Sequence, residues 1–461
     1  MSYVTDAIDY LIRKGVDFCD ARLESRETLR IEIVNGEIRA INSSKQRGLS
    51  IRALIDGVWG YASTTKFDTE SIKETAEKAF KAAKVLAEKA KRKKILLNSI
   101  VRTEEAKPRI LIHPWNVPLS KKLDILFSIN KVQKEYSEKI VNVTTNYHER
   151  IDHYELANSL GSLLIWDEIR LSVYSMSIAR EAGKMQYSFM HKSGTRGFEL
   201  LKELNIEEEG KKVSEEAVKL LSAKKPPAGY LTVIADPSVA GVLAHEVMGH
   251  ASEADEVIKK RSFLTGIIGK QVGSELVTMV DDGTLNGAYG SIPFDSEGTP
   301  SSRTVIIDKG IYTSYLHNLE TASLMGVEPT GNGRAQDFNR RIFVRMTNTF
   351  FAPGEWSFDE IISDTREGLL AIKSIGGMED PVGGGFQTTV LMGYIVKNGE
   401  LADLVRGFTL SGKALEILRT VDAVSKEFRL EGGYCGKGEE DFVPVSTGGP
   451  YMRAKMLVGG G

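Results

Sequence analysis

The amino-acid sequence predicts an α+β fold in two parts, an N-terminal α/β sandwich-like domain followed by a β-rich C-terminal domain built around one helix. The first half of the chain alternates helix-type and strand-type hydrophobic periodicity, and the second half is rich in glycine and in short strand-like runs. Between them, Pro226-Pro227 ends a charged helical segment and suits a linker. We therefore expect domains at residues 1–225 and 226–461.

The N-terminal elements follow from local patterns. Helical spacing of apolar residues and period-2 alternation predict, in chain order, a helix at Thr5–Lys14, strands at Leu29–Val34 and Leu49–Leu54, a helix from the N-cap Asp68 to the basic cluster Lys89–Lys94, a helix at Leu119–Tyr136, strands at Ile140–Tyr147 and Leu163–Ala179, and a charged helix at Glu199–Ala223. Asn35-Gly36 is a hairpin signal.

The C-terminal half is interpreted as short strands around one marked helix. Strands are predicted at Leu231–Ala235, Leu276–Val280, Arg303–Asp308 and Thr388–Val396, with turn signals at Asp282-Gly283 and Asn398-Gly399. After the first of these strands, Asp236 is suited to cap a helix and Pro237 to occupy its first position. An apolar helix is therefore expected to start there.

Composition and charge exclude several classes of protein. The 461 residues carry 60 Lys+Arg and 62 Asp+Glu, a net charge of -2, so no overall positive field favours nucleic acid. The cluster Lys89–Lys94 is interpreted as a solvated helix end. Only two cysteines are present, and neither a signal peptide nor an apolar run of roughly 20 residues occurs. We expect a cytoplasmic protein with no nucleic-acid or membrane partner.

The end of the apolar helix carries the most informative motif, His245-Glu246-Val247-Met248-Gly249-His250. It is one residue longer than the H-E-x-x-H motif, in which both histidines share a helix face. Residues at i and i+5 of a regular helix point about 140° apart, so both cannot bind one metal ion without a distortion. A π-type bulge would realign them, and we predict one at Met248–Gly249, where glycine permits it.

Two imidazoles and an adjacent carboxylate indicate a zinc site with peptidase chemistry. Glu246 could take a proton from water while the ion polarises a scissile carbonyl. A buried Glu246 would also need a positive partner, which a metal ion supplies. The third ligand must come from elsewhere. Glu253 and Asp255 are near in sequence, but Cys435 is the stronger candidate because its glycine flanks let a loop approach closely and Lys437 would favour the thiolate.

The sequence does not match other common nucleotide-binding or catalytic motifs. The glycine-rich stretches match neither a phosphate-binding loop nor a dinucleotide fingerprint, and there is no G-x-S-x-G or C-x-x-C. The remaining histidines lack ligand spacing and are interpreted as ordinary core or surface residues; they are His113, His148, His153, His191 and His317.

The motif and its surroundings resemble the TldD/PmbA family of metalloproteases. After His245–His250, further matches are Asp281–Thr284, Asp295–Pro300, Leu324–Gly326, Pro329–Arg334, Arg345–Thr349 and Cys435–Lys437, while Asp20–Arg22 and Gly57–Tyr61 fit the family's first domain. The resemblance implies one zinc ion on His245, His250 and Cys435, with Glu246 as acid/base. Glu253, Asp255 and Lys437 would then support the ligands. The glycine-rich stretch Met378–Gly385 does not align with the family's loop, which leaves the substrate cleft unassigned.

Two hypotheses follow. The first is a zinc-dependent metallopeptidase acting on peptides or unfolded polypeptides. The second is a non-catalytic peptide-binding or scaffold subunit with a structural metal, which partners a paralogue. The family contains subunits with the motif and paralogues without it, so the resemblance implies a homodimer or a heterodimer. A nucleic-acid-associated role through Lys89–Lys94 is weaker because the net charge is near neutral.

Overall fold

The N-terminal part is built on one seven-stranded sheet. The computed structural model describes residues 3–90, 97, 101–438 and 442–460, so Lys91–Lys94 of the basic cluster lie outside the described residues. In chain order the elements are α1 (Tyr3–Arg13), β1 (Phe18–Val34), β2 (Glu37–Ile55), β3 (Val58–Thr64), α2 (Thr69–Ala90), β4 (Thr103–Ala106), a 3-10 turn (Pro114–Asn116), α3 (Leu119–Lys134), β5 (Ile140–Asn158), β6 (Leu163–Glu181), β7 (Lys184–Gly194), α4 (Glu199–Lys202) and α5 (Ile206–Leu220).

The sheet runs in the order β3-β2-β1-β5-β6, and both β4 and β7 pair with β6. All pairings are antiparallel except that of β4. Asn35 and Gly36 both have positive φ angles, 50° and 82°, and form the two-residue turn between β1 and β2. This geometry requires residues that tolerate the left-handed region, and it confirms the predicted hairpin.

One face of this sheet carries the helices. Apolar residues of α1 and α2 pack over β1 and β2, and those of α3 and α5 pack over β5 and β6. The predicted helix Glu199–Ala223 is two helices, because Asn205 interrupts it and accepts a hydrogen bond from the Glu208 amide as the N-cap of α5. The other predicted helices are present within a few residues of their expected ends.

The opposite face of the sheet is charged and buried, which the period-2 pattern does not reveal. Alternate residues of β1, namely Asp20, Arg22, Glu24 and Arg26, are all at most 7% exposed. Arg22 and Arg26 donate to backbone carbonyls of the C-terminal half at Ser296, Asp337 and Gln336. Arg52 and Arg170 reach across in the same way, to Glu297 and to the Tyr289 and Ser291 carbonyls. The two halves of the chain therefore meet through buried ion pairs and charge-assisted hydrogen bonds.

The C-terminal part contains a ten-stranded sheet. Its elements are β8 (Gly229–Ala235), α6 (Pro237–Val242), a π-helix (Leu243–Gly249), α7 (Ala254–Ile258), β9 (Met279–Asp282), β10 (Arg303–Asp308), β11 (Ile311–Tyr312), α8 (Leu319–Met325), β12 (Gly333–Arg334), β13 (Phe343–Val344), β14 (Asn348–Phe351), α9 (Phe358–Asp364), β15 (Glu367–Asp380), β16 (Gly385–Lys397), β17 (Glu400–Lys413), α10 (Ala414–Arg419), β18 (Ala423–Cys435) and β19 (Val443–Gly459).

Five of these strands close into a ring, because β8 pairs with both β15 and β19 while β15-β16-β17-β19 are paired in succession. The predicted α+β class with a β-rich second part is confirmed. Arg303–Asp308 forms a strand with the predicted bounds, whereas the strand expected from Leu276 begins only at Met279. The division at residues 225 and 226 stays a prediction. No helix among the described residues is long and apolar enough to span a membrane.

Helix α6 and the π-helix form one continuous segment that is packed against β14, β15, β16 and β19. The Asp236 side chain accepts hydrogen bonds from the Ser238 and Val239 amides, and Pro237 stands at the first position, so the predicted helix start is confirmed. At Gly241 the helix backbone touches β19. A Cβ there would lie 2.3 Å from the Gly448 amide nitrogen. Glycine at this position is what lets the helix pack closely against β19.

We expect Gly241→Ala to lower the free energy of unfolding by about 1–3 kcal/mol or more, because a methyl group would displace the β19 backbone. The measurement is urea unfolding followed by circular dichroism. Gly433→Ala is the matched control, since Gly433 has no atoms near its Cβ position and no positive φ. Equal stability of the two variants would contradict the close approach.

The buried Asp152 tests the polar joint, the charged contact between the N-terminal sheet and the C-terminal half. Burial alone would raise its pKa, but Arg150, Arg26 and Arg170 lower it to about 2. Because this value lies below the ordinary 3.8, the carboxylate contributes stability that is present above pH 3.8 and is lost as the pH falls from there towards 2.

Asp152→Asn should therefore cost about 3–5 kcal/mol at neutral pH, since it leaves buried guanidinium groups uncompensated. It should also flatten the loss of stability between pH 4 and pH 2. Denaturant unfolding over this pH range measures both effects. Asp167→Asn, which removes a half-exposed partner of His153, should cost less than about 1 kcal/mol. A similar cost for both variants would show that the buried cluster adds nothing.

Candidate metal centre

The two motif histidines are brought together by the π-helix. The His250 amide donates to the His245 carbonyl, so the five-residue hydrogen bond of the π-helix joins the two histidines themselves. Their ring centroids are 5.2 Å apart and the rings are nearly perpendicular. The predicted departure from a regular helix is confirmed, and it begins earlier than expected, at Leu243.

Gly249 matters for a different reason from the predicted one. Its φ angle is not positive, so the backbone does not need glycine for its conformation. A Cβ atom at this position would lie 2.1 Å from the Met346 Sδ atom. The small residue thus makes room for the side chain that packs on the widened helix.

Cys435, at the end of β18, completes the group. Its Sγ atom lies 3.3 Å from His250 Nε2, and the ligand atoms of His245, His250 and Cys435 all lie within 4.8 Å of one another. The cysteine and His245 are 3% and 4% exposed. Arg345 donates to the Cys435 carbonyl at 2.5 Å, which fixes the strand end beside the helix. Of the three candidate third ligands, the structure brings Cys435 to the histidine pair.

The electrostatics of this group favour a bound cation. Burial alone would raise the pKa of the Cys435 thiol, but the His250 and His245 imidazoles hold it well below its ordinary value. Burial opposes the charged form of His250, yet Cys435 and Glu253 raise its pKa well above the usual range. The buried His245 Nδ1 has no hydrogen-bond partner among the described residues. A thiolate and two imidazoles match the nitrogen and sulfur ligands that zinc prefers.

Glu253, Asp255 and Lys437 lie behind the ligands. Glu253 contacts His250 Nδ1 at 3.4 Å, and Lys437 Nζ bridges Glu253 and Asp255 at 2.9 and 2.7 Å. Burial opposes ionisation of Glu253, but Lys437, His250 and Arg345 lower its pKa to about 2. A carboxylate on the remote nitrogen of a ligand histidine orients the ring. Lys437, which the sequence analysis expected to favour the Cys435 thiolate, thus bonds these two carboxylates.

Glu246 follows the first histidine and lies beside a second carboxylate that the sequence did not single out. Ligand atoms of Glu246, His250 and Glu379 lie within 4.8 Å of one another. Burial and a hydrogen bond with Glu246 raise the pKa of Glu379 to about 8. Glu379 stands near the tip of the β15–β16 hairpin, in the stretch Met378–Gly385 that could not be aligned. No spacing in the sequence links it to the motif, because the hairpin reaches the helix only through the folded sheet.

The five remaining histidines stand apart from the site, and within the described part of the chain none belongs to a group that could hold a metal ion. His113 caps the 3-10 turn, His153 pairs with Asp167, and His317 contacts Thr321.

The fold and this site define a metallopeptidase class, and comparisons with known proteins give the family. The family profile described as PmbA/TldA metallopeptidase domain 1 matches residues 19–83, the central-domain profile matches 112–223, and the C-terminal-domain profile matches 228–460. A metalloprotease of Methanocaldococcus jannaschii is 38% identical over 98% of this chain and 99% of its own length. The chain belongs to the PmbA/TldD family of metallopeptidases.

Other similar proteins agree with this assignment. A Methanothermobacter thermautotrophicus metalloprotease is 35% identical over 98% of this chain and 97% of its own length. A Saccharolobus solfataricus protein named a zinc metalloprotease TldD homolog is 26% identical over 97% of both chains. A solved Thermotoga maritima structure, described as a modulator of DNA gyrase, has a TM-score of 0.81 and 24% identity, and covers 99% of this chain and 98% of its own. That likeness shows the fold.

The grouping of the three ligands predicts which variants lose zinc. Wild-type protein should hold zinc, whereas His250→Ala and Cys435→Ser should each lose it on dialysis against a weak chelator, because each removes one of the three grouped ligands. Elemental analysis per chain measures this. His153→Ala, whose ring lies elsewhere, is the control and should keep the wild-type content. Folded variants that retain zinc would place the ion on other residues.

Proposed function

We propose that this protein is a zinc-dependent metallopeptidase that hydrolyses peptide bonds of peptides or unfolded polypeptides at the His245–His250 motif. The observation that carries the proposal is the grouping of His245, His250 and Cys435 within 4.8 Å, with Glu246 directly adjacent. The Saccharolobus relative is named a zinc metalloprotease, which supports zinc as the ion. A donor set of two imidazoles and one thiolate suits this metal and leaves a fourth position for substrate or water.

When bound, zinc supplies Lewis-acid polarisation of the scissile carbonyl. His245, His250 and Cys435 would hold it. Glu246 is half-buried, whereas His245 and Cys435 are buried, so the carboxylate stands on the open side where a peptide arrives. There Glu246 accepts a proton from the water whose oxygen bonds to the carbonyl carbon, and it returns that proton to the leaving nitrogen as the carbon–nitrogen bond breaks.

The charges around the ligands support these roles, in which His245, His250 and Cys435 hold the ion and Glu246 transfers the proton. Lys437 and Arg345 compensate Glu253 and Asp255 on the protein side of the histidines. Glu253 in turn contacts His250, and Arg345 donates to the Cys435 carbonyl, so these charged groups hold the ligands in place.

The assembly and the location of the protein are further proposals. We propose a cytoplasmic enzyme that acts as a homodimer or with a motif-lacking paralogue, on the strength of the family resemblance. A solved structure of TldE from Thermococcus kodakarensis, with a TM-score of 0.73 and 19% identity, has a similar fold.

Glu246→Gln tests the proposal. The substitution keeps the size of the side chain and removes its basicity, so we expect the rate of peptide cleavage to fall by about 100- to 10,000-fold while zinc content stays at the wild-type level. Cleavage of an unfolded polypeptide, followed by mass spectrometry with and without candidate paralogues, is the measurement.

Glu256→Gln is the matched control, because Glu256 pairs with Lys259 away from the ligand group and should not change the rate. Full activity of Glu246→Gln would contradict the general-base role. Zinc-loaded wild-type protein that cleaves no polypeptide, alone or with a paralogue, and that unfolds its C-terminal half on losing zinc, would instead support the scaffold subunit with a structural metal.

A further inference from the structure

A cleft of about 680 Å³ lies on the charged face of the N-terminal sheet, at its joint with the C-terminal half. This volume falls in the range of about 300–1,000 Å³ that is typical of sites for small ligands. Strands β1, β2 and β5 form the floor, and residues of the C-terminal half, among them Gln336 and Tyr434, form one wall. Three arginines line the cleft, namely Arg26, Arg30 and Arg150. The proposed peptidase chemistry does not use them.

The strand register places two of these arginines side by side. Arg30 on β1 lies opposite His148 on β5, and Thr28 lies opposite Arg150. Alternate residues of a strand share one face, so Arg30 and Arg150 are diagonal neighbours on the charged face, about 7–8 Å apart. Long side chains reach each other across that distance. An anion between them can therefore contact both guanidinium groups.

Arg150 has hydrogen-bond donors that the protein does not use. The residue is only 7% exposed, and among the described residues the one hydrogen bond of its guanidinium group runs from Nε to Asp152 Oδ2, at 2.5 Å. The two terminal nitrogens have no acceptor among these residues, and they are not among the atoms sealed from solvent. Because Arg150 lines the cleft, these nitrogens open to it. A buried guanidinium group with unused donors indicates an acceptor that comes from outside the chain.

Arg30 and His148 likewise have no hydrogen-bond partner. The Arg30 side chain is exposed and forms no ion pair or hydrogen bond within the described part of the chain. The His148 imidazole forms no hydrogen bond there either. Burial, with further contributions from Arg30 and Arg150, lowers the His148 pKa to about 4, so the ring is neutral at neutral pH. Two neighbouring guanidinium groups thus have donors to spare beside a neutral imidazole.

The carboxylates near the cleft are already engaged. Asp152 accepts from the Nε atoms of both Arg26 and Arg150. Asp337, on the wall, accepts from the backbone amide two residues further on at 2.8 Å and from the side-chain amide of the preceding residue at 3.2 Å. Neither carboxylate accepts from Arg30 or from the terminal nitrogens of Arg150. The acceptor for these donors is therefore not found among the described residues.

We propose that the cleft binds an oxyanion, the carboxylate or phosphate group of a small ligand, between the guanidinium groups of Arg30 and Arg150. The planar set of donors on each arginine matches the oxygens of such a group. Tyr434 lines the cleft, Cys435 follows it on β18, and consecutive side chains of a strand point to opposite faces. The anion is thus held on the other side of β18 from the thiol, and this inference goes beyond the proposed function without resting on it.

Calorimetry with the zinc-loaded protein tests the proposal. The probes are inorganic phosphate, N-acetylalanine, and the amide of N-acetylalanine, which lacks the negative charge. Arg30→Gln removes one guanidinium group without breaking a hydrogen bond or ion pair among the described residues. Arg39→Gln is the matched control, because Arg39 is an exposed arginine of the neighbouring strand β2 that does not line the cleft.

Wild type and Arg39→Gln should bind phosphate or N-acetylalanine equally well, and Arg30→Gln should bind it at least about tenfold more weakly, the scale of one hydrogen bond to a charged group. Arg150→Lys keeps the positive charge beside Asp152 but loses the planar donors, so it should weaken binding as well. Preference for phosphate would identify a phosphate-bearing ligand. Preference for N-acetylalanine over its amide, lost in Arg30→Gln, would identify a carboxylate.

Equal affinity of wild type and Arg30→Gln for both anions would overturn the inference, because it would place the anion elsewhere, for example on the zinc ion. The same loss in Arg39→Gln as in Arg30→Gln would also overturn it, since it would reveal only a general effect of charge. Failure of wild type to bind either anion would have the same consequence. These results do not bear on cleavage by Glu246→Gln, so the proposed function is tested separately.

Discussion

The hydrogen bond from the His250 amide to the His245 carbonyl is the constraint on which the site depends. In a regular helix the two rings would diverge by about 140°, and a single ion could not reach both. A π-helix is rare because it widens the backbone cylinder, so neighbouring segments must leave room for it. Gly241 meets the β19 backbone, Gly249 lies under Met346, and Gly377 admits the hairpin arm. Glycine at these three positions therefore allows the widened helix to pack closely against its neighbours.

A second constraint is the separation of charge around the buried ligands. A thiolate and two imidazoles at this depth require fixed neighbours, and the fold supplies them from the protein side through Glu253, Lys437 and Arg345. Each buried carboxylate there has a cation in contact, as burial of charge demands. On the helix itself, Glu246 hydrogen-bonds with Glu379.

Local signals explain what the sequence predicted well. The cap Asp236, the hairpin Asn35-Gly36 and the histidine spacing act over a few residues, so their consequences could be worked out without the fold. Glu379 and the true partners of Lys437 could not be predicted, because they depend on a hairpin and a strand end that arrive from more than 100 residues away. The burial of the charged face of the first sheet could not be predicted because the local pattern itself indicates exposure. Alternation of Asp20, Arg22, Glu24 and Arg26 is typical of a solvated face, but these side chains are buried by ion pairs within the sheet and by hydrogen bonds to carbonyls of the C-terminal half.

That polar joint also bears on how the site is held. An apolar interface would tolerate small rotations, whereas Arg22, Arg26 and Arg170 each donate to particular carbonyls and fix one orientation of the two halves. The segment that follows these contacts runs through β13 to Arg345, whose guanidinium group holds the Cys435 carbonyl. The third ligand is thus positioned by strands that the N-terminal sheet itself anchors. A ligand set drawn from residues 245 to 435 keeps its geometry because both halves of the chain restrain it.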